Sequence, residues 1–381
     1  MTASVWLVLP GVILWAVILA LPWQPWRNRE TLQADSGGGN ADLSGVTVLV
    51  PARNEAGVIA GTLRSLASQG RGLGIVLVND RSEDATVAEA ERLKLKNLTI
   101  VNGRALEPGW SGKLWALHQG LPFVQTETIL LLDADIRLEP GTIAALKARM
   151  QEHDLHLVSL LAFMRVESFW EKLLMPAFVY FFKLLYPFHL SNSGSGAVAA
   201  AAGGCVLLRT DSLARAGGFE AIKDKLIDDC ALARRFRNAG LATWIGLSHS
   251  AQSQRSHDAL AGIWNTIART AYTQLRHSFI LLALCTALLT AGFVLPPAGL
   301  FSADPSVRLT ALAGILLMAA GYLPTLRYYG LNPAWCAAFP LAGALYLLMT
   351  WSSAWRHWTG AGAGWKQRSY TGETGNFRGQ N

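Results

Sequence analysis

Four short apolar runs in the first half of the chain restrict its fold more than any other feature of the sequence. They are rich in leucine and β-branched residues and are apolar throughout, with no alternation of apolar and polar positions. Strands with this pattern are buried on both faces. Helical patterns at 55–68 and 84–94 follow the first two runs, and such a repeat predicts a mainly parallel α/β sheet with helices on both faces. The predicted strands are 46–50, 75–78, 98–101 and 128–132.

Uncharged apolar segments occur at both ends of the chain. Of its 381 residues 51% are hydrophobic and 15% charged, against about 25% charged in an average soluble protein. Residues 5–21 form an uncharged run that two tryptophans, Arg27 and Arg29 follow. Positive charges after the run indicate a retained anchor whose C-terminal end faces the cytoplasm, rather than a cleaved signal peptide. The predicted organisation is a membrane anchor (1–30), a flexible linker (31–45), an α/β domain (46–277), C-terminal transmembrane segments (278–355) and a basic tail (356–381).

The way in which the later segments meet the membrane has alternatives. Residues 169–190 are aromatic and are interrupted by charges and by Pro176, which favours an amphipathic helix in the membrane interface. A helix packed in the core of its own domain is the alternative. Three full C-terminal spans would place the basic tail outside, whereas the positive-inside bias favours the cytoplasm. The sequence leaves open whether one of these segments is re-entrant or interfacial.

The formal net charge of +7 restricts the partners of the chain. A basic balance of this size suits an anionic membrane surface, phosphate-bearing ligands or nucleic acid. No run of five or more basic residues occurs, so nucleic acid is not an expected partner. We expect a multi-pass protein of the inner (cytoplasmic) membrane, with its α/β domain facing the cytoplasm and in contact with the lipid bilayer.

Polar residues after the predicted strands are candidates for a ligand site, because parallel sheets bind ligands beyond the C-terminal ends of their strands. Pro51, Arg53 and Glu55 follow the first strand, and Asp80 follows the second. Asp80 either accepts hydrogen bonds from a nucleoside or caps the next helix. Lys113 ends the segment Gly-Trp-Ser-Gly-Lys, in which the glycines allow close backbone approach and the ammonium group suits a phosphate.

An acidic cluster, Asp133-Ala-Asp135, directly follows the fourth strand. Two carboxylates separated by one residue can both face the crevice at the sheet edge. Mg²⁺ and Mn²⁺ prefer such oxygen ligands and commonly bridge to the phosphates of a substrate. The cluster therefore predicts a divalent-metal site, with the capping of a following turn as the alternative.

Further candidates lie after residue 200. Gly204 belongs to a glycine pair that either approaches a ligand closely or forms a tight turn. Asp228 and Asp229 begin a predicted helix, where they act as caps or where one acts as a general base. Arg255 either neutralises a departing diphosphate or is a solvated loop charge.

The order and spacing of these motifs carry more information than any one of them. Together they resemble the family-2 glycosyltransferases over about residues 46–275. The Gly-Trp-x-Gly-Lys element and the flanking apolar segments are similar to the branch of ceramide-glucosyltransferase-like and carotenoid-pathway enzymes. With the stretch Trp-x-x-x-Ala-Arg-Thr-Ala-x-Thr-Gln-Leu at 264–275, the whole resembles the hopene-associated glycosyltransferases of bacteria. The motifs are Val-Pro-Ala-Arg-Asn-Glu, Val-Asn-Asp-Arg-Ser-x-Asp, Gly-Trp-x-Gly-Lys, Asp-Ala-Asp, Gly-Gly-Cys and Asp-Asp-x-x-Leu.

The resemblance implies a GT-A fold, a nucleotide-sugar donor, a divalent metal (Mg²⁺ or Mn²⁺) and an inverting single displacement. By motif, Asp80 would contact the nucleoside, while Asp133 and Asp135 would bracket the diphosphate and the metal. Asp135 would be the main metal ligand and Asp229 the general base. The family usually has Glu-Asp where this chain has Asp228-Asp229. Processive members carry Gln-x-x-Arg-Trp, but a serine follows Arg255 here, which argues against a polymer-forming enzyme.

These patterns lead to three hypotheses of function. The first is a membrane-bound transferase that moves a sugar from a nucleotide sugar, with UDP-sugars expected first, to a membrane lipid, plausibly in hopanoid metabolism. The second is transfer to a polyprenyl phosphate, an anionic acceptor that needs less help from a base. The third is a non-catalytic membrane scaffold that binds nucleotide sugars without turnover.

Overall fold

The computed structural model describes residues 5–35, 37–194, 196 and 198–360, together with the backbone of 363–365 and 368–370. The chain divides into two compact units, each of which is described by itself. The sheet unit consists of Glu30–Arg165 and Phe188–Ser256. The helical unit consists of Met1–Arg29, Val166–Pro187 and His257–Asn381.

The strands and helices are numbered in chain order over the described residues. The strands are β1 (Val46–Ala52), β2 (Gly74–Asn79), β3 (Leu98–Asn102), β4 (Thr128–Leu132), β5 (Ile136–Leu138), β6 (Leu157–Phe163), β7 (Cys205–Arg209), β8 (Thr243–Ser253), β9 (Ala363–Trp365) and β10 (Arg368–Tyr370). The helices are α1 (Val5–Ala20), α2 (Ile59–Ala67), α3 (Thr86–Glu91), α4 (Gly112–Gly120), α5 (Thr142–Glu152), α6 (Phe169–Leu185), α7 (Phe188–Asn192), α8 (Thr210–Arg215), α9 (Asp228–Asn238), α10 (Leu260–Gln274), α11 (Phe279–Leu289), α12 (Leu295–Gly299), α13 (Pro305–Tyr328) and α14 (Phe339–Trp358).

The sheet unit is built on an eight-stranded mixed sheet in the order β3-β2-β1-β4-β7-β6-β8-β5. The first four strands of that order are parallel, and β6 and β8 also pair in parallel. β7 is antiparallel to both of its neighbours, as β5 is to β8. The predicted α/β fold is therefore confirmed. All four predicted strands exist, and β4 has the predicted bounds.

The burial of these strands follows their place in the sheet. Every residue of β1 is buried, as the continuous apolar run predicted. β3 has only half-buried and exposed positions, because it is an edge strand with a neighbour on one side. The predicted full burial of β3 is thus wrong, and the reason is its position at the sheet edge.

The segment 31–45, predicted to be a flexible linker, is bonded to the sheet unit. Leu32 and Leu247 are joined through the backbone, because the Leu32 amide donates to the Leu247 carbonyl at 3.0 Å. The Leu43 amide donates to the Arg71 carbonyl at 2.8 Å, and the Leu43 side chain is fully buried. Gly141 permits the close approach of this segment, since a Cβ atom there would lie 2.1 Å from the Asp35 carbonyl oxygen. Within the segment, Gly38 serves the same close packing, since a Cβ atom there would lie 2.9 Å from the Ala144 Cβ atom.

Within the part of the chain that the structure describes, the helical unit contains three helices that are long and apolar enough to cross a membrane: Phe279–Gly299, Pro305–Tyr328 and Pro333–Trp358. The first of these comprises α11 and α12, joined by the π-helical turn Thr290–Val294. α1 is shorter, with 16 residues, or about 24 Å at 1.5 Å per residue. The three long helices correspond to the apolar C-terminal segments predicted from the sequence, and α1 corresponds to the apolar run predicted near the N-terminus.

The predicted interfacial segment 169–190 is divided between the two units. α6 starts at a capping box in which Ser168 and Glu171 bond each other's backbone amides, and it ends at Leu185. It lies in the helical unit and packs against α13 and α14. α7 lies in the sheet unit. The predicted domain 46–277 is divided in the same way, because α6 and α10 pack with the apolar helices rather than with the sheet.

Candidate active site

Every residue predicted to form the site lies in the sheet unit. Most of these residues follow strands or lie on the first turn of a helix, whereas Pro51 lies within β1 and Gly204 directly precedes β7. Pro51 is buried within β1, next to Val78 of β2. Arg53 follows β1 and is 8% exposed. One of its guanidinium nitrogens donates to the carbonyl oxygens of Asp80 and Arg81, at 2.8 and 3.1 Å. Arg53 therefore holds the loop after β2 beside the loop after β1.

A polar network joins these two loops into one rigid edge. Asn54 and Arg81 both adopt left-handed backbone conformations, with φ of 51° and 55°. The side-chain oxygen of Asn54 accepts a hydrogen bond from the backbone N–H of Glu83 at 2.9 Å. The backbone N–H of Asn54 donates to the Ser82 hydroxyl at 3.1 Å. Such conformations are costly for residues other than glycine and persist where surrounding bonds fix them. The fully buried Asp80 thus stands in a tightly defined loop.

Lys113 connects three parts of the chain at the centre of the site. Its ammonium nitrogen lies 2.8 Å from Asp133 Oδ1 and 3.4 Å from Asp228 Oδ2. It also donates to the carbonyl oxygen of Gly203 at 3.2 Å. Lys113 lies on the first turn of α4, Asp133 follows β4, and Asp228 starts α9. The sequence predicted a phosphate contact for Lys113, whereas here its ammonium group bridges protein groups.

Asp229 is oriented by the backbone through both of its carboxylate oxygens. Gly203 N–H donates to Oδ2 at 2.8 Å, and Cys230 N–H donates to Oδ1 at 2.7 Å. A Cβ atom on Gly203 would lie 3.1 Å from the Lys113 nitrogen and 3.2 Å from Asp229 Oδ2. Glycine at 203 therefore leaves the room that both charged groups occupy.

Gly204, the predicted member of the glycine pair, has a different contact. Its carbonyl oxygen accepts from the Asp133 amide at 3.1 Å. A Cβ atom there would meet the Ile136 side chain at 3.3 Å. Gly204 thus fixes the start of the acidic cluster from the turn before β7, while Gly203, the other glycine of the predicted pair, contacts the charged groups.

The electrostatics of this cluster are unusual for surface carboxylates. Burial raises the pKa of Asp229 to about 6, and the neighbouring Asp228 carboxylate adds to the increase. Burial also raises the pKa of Asp133, although the Lys113 ammonium opposes that shift. Burial alone would lower the pKa of Lys113, but the carboxylates of Asp133, Asp228 and Asp229 outweigh it and raise this pKa. The cluster therefore holds a permanent cation beside a carboxylate that can take up a proton near neutral pH.

Arg255 forms a second ion-pair group around the other member of the acidic cluster. Its Nε lies 2.6 Å from Asp135 Oδ2, and a terminal nitrogen lies 3.1 Å from Glu55 Oε1. Asp135 is 9% exposed. The Asp135 carbonyl oxygen also accepts from the Gln254 amide at 2.8 Å. Arg255 thus neutralises the carboxylate that the sequence favoured as a metal ligand.

The donor groups of the site decide how it can hold a divalent cation. Among the residues that the structure describes, no group of three or more His, Cys, Asp or Glu side chains is arranged to hold a metal ion. Asp133 and Asp135 supply two oxygen donors from one short loop. Mg²⁺ is usually bound by one or two carboxylates together with water and substrate phosphates. The acidic cluster fits a cation that arrives with a phosphate-bearing ligand, and not a fully protein-bound metal.

Comparison with known proteins agrees with this architecture. Residues 47–217 match the family model described as Glycosyl transferase family 2. This segment is similar to the glycosyltransferase domains of family 2. The mannosyltransferase PcManGT from Pyrobaculum calidifontis, solved with GDP-Man and Mn²⁺, superposes with a TM-score of 0.52 at 18% identity, covering 90% of this chain and 97% of that one. The sheet unit therefore has a GT-A fold.

Curated relatives match over a shorter stretch. The 4,4'-diaponeurosporenoate glycosyltransferase of Staphylococcus haemolyticus is 27% identical over 115 residues, which is 30% of either chain. The enzyme of the same name from Staphylococcus aureus MRSA252 is 30% identical over 97 residues, covering 26% of this chain and 25% of that one. The aligned regions span less than a third of the length of these relatives.

Proposed function

We propose that this chain is a membrane-bound inverting glycosyltransferase that moves a sugar from a nucleotide-diphosphate sugar to a lipid acceptor. The main support is the cluster around Lys113, which brings the acidic loop after β4 to the start of α9. A phosphate-binding loop and a base are the two parts that an inverting displacement requires. The relatives named for 4,4'-diaponeurosporenoate and the neighbour solved with GDP-Man and Mn²⁺ agree with this choice.

The donor nucleotide is assigned to the edge formed by the loops after β1 and β2. Asp80 would accept hydrogen bonds from the nucleoside, in the loop that Arg53 holds in place. Pro51 and Glu55 bound the same edge. A UDP-sugar is the donor that we would test first. Gly204 would border the sugar–phosphate part of the donor, since it bonds the backbone of Asp133.

The diphosphate is assigned to the acidic cluster. Asp135 and Asp133 would hold Mg²⁺ or Mn²⁺, which neutralises the charge that develops on a leaving diphosphate. Arg255, which pairs with Asp135 and Glu55, would add a positive charge beside the same phosphates. Two carboxylates next to Arg255 and Lys113 suit a dianionic ligand that carries its own cation.

Asp229 is assigned as the general base. The acceptor oxygen attacks the anomeric carbon, the bond from that carbon to the diphosphate oxygen breaks, and its electron pair leaves with the nucleoside diphosphate. Asp229 takes the acceptor proton. Its raised pKa of about 6 lies near the operating pH, which suits a general base. Asp228 keeps Lys113 beside this group and takes no proton in the proposed reaction.

The acceptor is assigned to the membrane because the chain carries three helices that are long and apolar enough to span it. A lipid hydroxyl would need the base that Asp229 offers, and a hopanoid polyol is the first acceptor to be tested. The inner membrane, with the sheet unit in the cytoplasm, is the proposed location.

Nucleotide release from purified, detergent-solubilised protein tests the proposal. UDP- and GDP-sugars would be screened with Mn²⁺ or Mg²⁺, with and without bacterial lipid extract, beside Asp135→Ala. We expect metal-dependent release that lipid stimulates and that the variant abolishes. Nucleotide binding without release for every donor would instead support a non-catalytic scaffold. Release that depends on polyprenyl phosphate alone would support the second acceptor class.

A further inference from the structure

Contacts between the helices of the helical unit show the direction in which each helix runs. These directions determine at which face of a membrane each segment would end. Val8 of α1 packs with Ala311 of α13, whereas Leu19 of α1 lies beside Gly321 of α13. α1 and α13 therefore run in the same direction. α12 lies at the start of both, because a Cβ atom on Gly299 would touch Val8 and Ala311 at 2.9 Å.

The span formed by α11 and α12 runs in the opposite direction. Trp15 of α1 donates to the carbonyl oxygen of Gly292 at 2.9 Å, while Gly299 lies beside Val8. Residue numbers thus rise along this span as they fall along α1. The start of α11 is on the side where α1 and α13 end, and the loop 300–304 is on the other side.

After α13 ends at Tyr328 the chain folds back into the helix layer. The thiol of Cys336 approaches the carbonyl oxygen of Ala319 at 3.8 Å. The ring of Phe339, the first residue of α14, stacks on Tyr322 with centroids 3.6 Å apart and planes at 5°. Tyr322 lies six residues before the end of α13, which is about 9 Å at 1.5 Å per residue. Ala319 lies nine residues before that end, or about 14 Å, so the short 3-10 helix Pro333–Ala338 reaches into the second half of α13 and not to its start.

α14 then returns towards the side from which the 3-10 helix entered. Phe339 is 5.0 Å from Phe293 between ring centroids. Trp351 donates to Thr286 at 3.0 Å. At the end of α14, the ring of Trp358 lies 6.4 Å from that of Phe279, the first residue of α11. α14 is thus antiparallel to α11 and ends beside its start.

A crossing helix would have ended at the opposite side, next to the first turns of α13. Those turns are covered by α1, since Val307 and Ala311 cluster with Val5 and Val8. α6 packs against α14 instead, because the Tyr346 hydroxyl donates to the Leu174 carbonyl oxygen at 2.9 Å.

The surface of this segment suits the headgroup layer. Trp351, Trp355 and Trp358 are 37%, 66% and 47% exposed, and tryptophan is enriched where a membrane meets water. Basic residues collect at the same end of the helices. They are Arg27, Arg29, Arg276, Arg327 and Arg356, whereas the loop at the other end carries Asp304, with Arg308 in the following turn. This asymmetry agrees with the positive-inside bias if α14 does not cross.

We propose that Pro333–Trp358 is a re-entrant segment that inserts into one leaflet and presents Trp351, Trp355 and Trp358 to the lipid headgroups on the face where α1 ends. The partner of this surface is the bilayer. Residues after Trp358 would then lie on the same face as Arg29, and the chain would cross the membrane three times. The proposal rests on the membrane location in the proposed function but not on catalysis.

Single-cysteine labelling in intact cells tests this arrangement. The four native cysteines would be replaced by alanine, and Arg29→Cys, Phe301→Cys and Thr359→Cys would be introduced one at a time at exposed positions. A membrane-impermeant maleimide added to intact cells is expected to label Phe301→Cys. Arg29→Cys and Thr359→Cys are expected to react after permeabilisation.

Three results distinguish this proposal from the proposed function. Labelling of Thr359→Cys together with Phe301→Cys in intact cells would overturn the re-entrant segment. Labelling of Arg29→Cys and Thr359→Cys without Phe301→Cys would support it but would contradict a cytoplasmic sheet unit. The native sequence, fused at its C-terminus to green fluorescent protein or alkaline phosphatase, gives a second measurement. We expect fluorescence without phosphatase activity; phosphatase activity in cells where Phe301→Cys reacts and Arg29→Cys does not would overturn the proposal.

Discussion

Replacement of Asp229 by asparagine is the perturbation that separates the proposed base from its surroundings. The side chain keeps its size and one acceptor oxygen, so one of the two backbone donors from Gly203 and Cys230 loses its partner. An unpaired buried donor costs about 1–3 kcal/mol. The same change also removes the cost of burying a negative charge at this position, a cost that is seen in the raised pKa of Asp229. Because these effects oppose each other, we expect Asp229→Asn to fold.

The catalytic loss should be larger than the structural one. General base catalysis contributes about 10²- to 10⁴-fold, or about 3–5 kcal/mol in the activation free energy. The nucleotide and metal groups are assigned to other residues, so the donor KM should change little. We therefore expect kcat for a hydroxyl-bearing lipid to fall by about two to four orders of magnitude, with a donor KM close to that of the native protein.

The pH dependence of the native protein should carry the same signature. The pKa of Asp229 is raised to about 6, so its carboxylate is protonated below that pH and cannot accept a proton. We expect kcat to rise with pH through about 6 and to level off above it. In Asp229→Asn this rise should disappear from the residual rate.

Nucleotide release at saturating donor and lipid, measured between pH 5 and 8, checks both expectations. Circular dichroism and donor binding serve as controls for folding. A kcat within threefold of native with a hydroxyl acceptor would refute the assignment of the base. Full activity retained with polyprenyl phosphate alone would favour the anionic acceptor, which needs no base.

Three further substitutions test other parts of the site. Gly203→Ala should lower kcat at least tenfold, because the added methyl group would crowd Lys113 and Asp229. Gly45→Ala is the matched control, since Gly45 has open space around it. An equal loss of kcat in both variants would contradict the crowding argument. Lys113→Met should lower kcat more than it raises the donor KM, since the Lys113 ammonium bridges protein groups. An increase in KM without a change in kcat would instead support a contact between Lys113 and a donor phosphate. Arg255→Ala should lower the Mn²⁺ concentration for half-maximal activity several-fold, because the guanidinium competes for the acidic cluster; an unchanged metal titration would contradict this.

The sheet was largely predictable because its pattern is local. Continuous apolar runs mark strands buried on both faces, and β1, β2 and β4 have that environment. Helix bounds were less predictable. The helix predicted from residue 55 begins at Ile59, because the Ala56 amide bonds to the side chain of Asp84 in the neighbouring loop. A contact between two loops cannot be read from the periodicity of one.

Many members of the site could be predicted because they follow strands, but the groups that they contact could not be predicted. Parallel strands bring Asp80 and Asp133 to one edge of the sheet, so their proximity could be expected. Lys113 comes from a helix, and its three partners come from different parts of the chain. Its lysine suggested a phosphate because no local signal identifies a bridging role. Gly203 and Gly204 likewise differ in their contacts although they are adjacent.

The membrane segments show the limit of composition as a guide. Hydropathy and length give Pro333–Trp358 the same status as the two spans before it. Its direction depends on the stacking of Phe339 on Tyr322 and on the contact of Trp358 with Phe279. In the sequence, only the basic residues of the C-terminal tail argued against a third full span, because three full spans would place them outside, against the positive-inside bias.

The central claim is sugar transfer to a lipid, and its most direct test is the movement of label from a nucleotide sugar into the organic phase. Membranes containing the native protein or Asp229→Asn would be incubated with radiolabelled donor, Mn²⁺ and a hydroxyl-bearing lipid, and the lipid fraction would be extracted and counted. We expect labelled lipid with inverted anomeric configuration from the native protein and at least a hundredfold less from the variant. Donor binding without labelled lipid, under every donor and acceptor tried, would contradict the account.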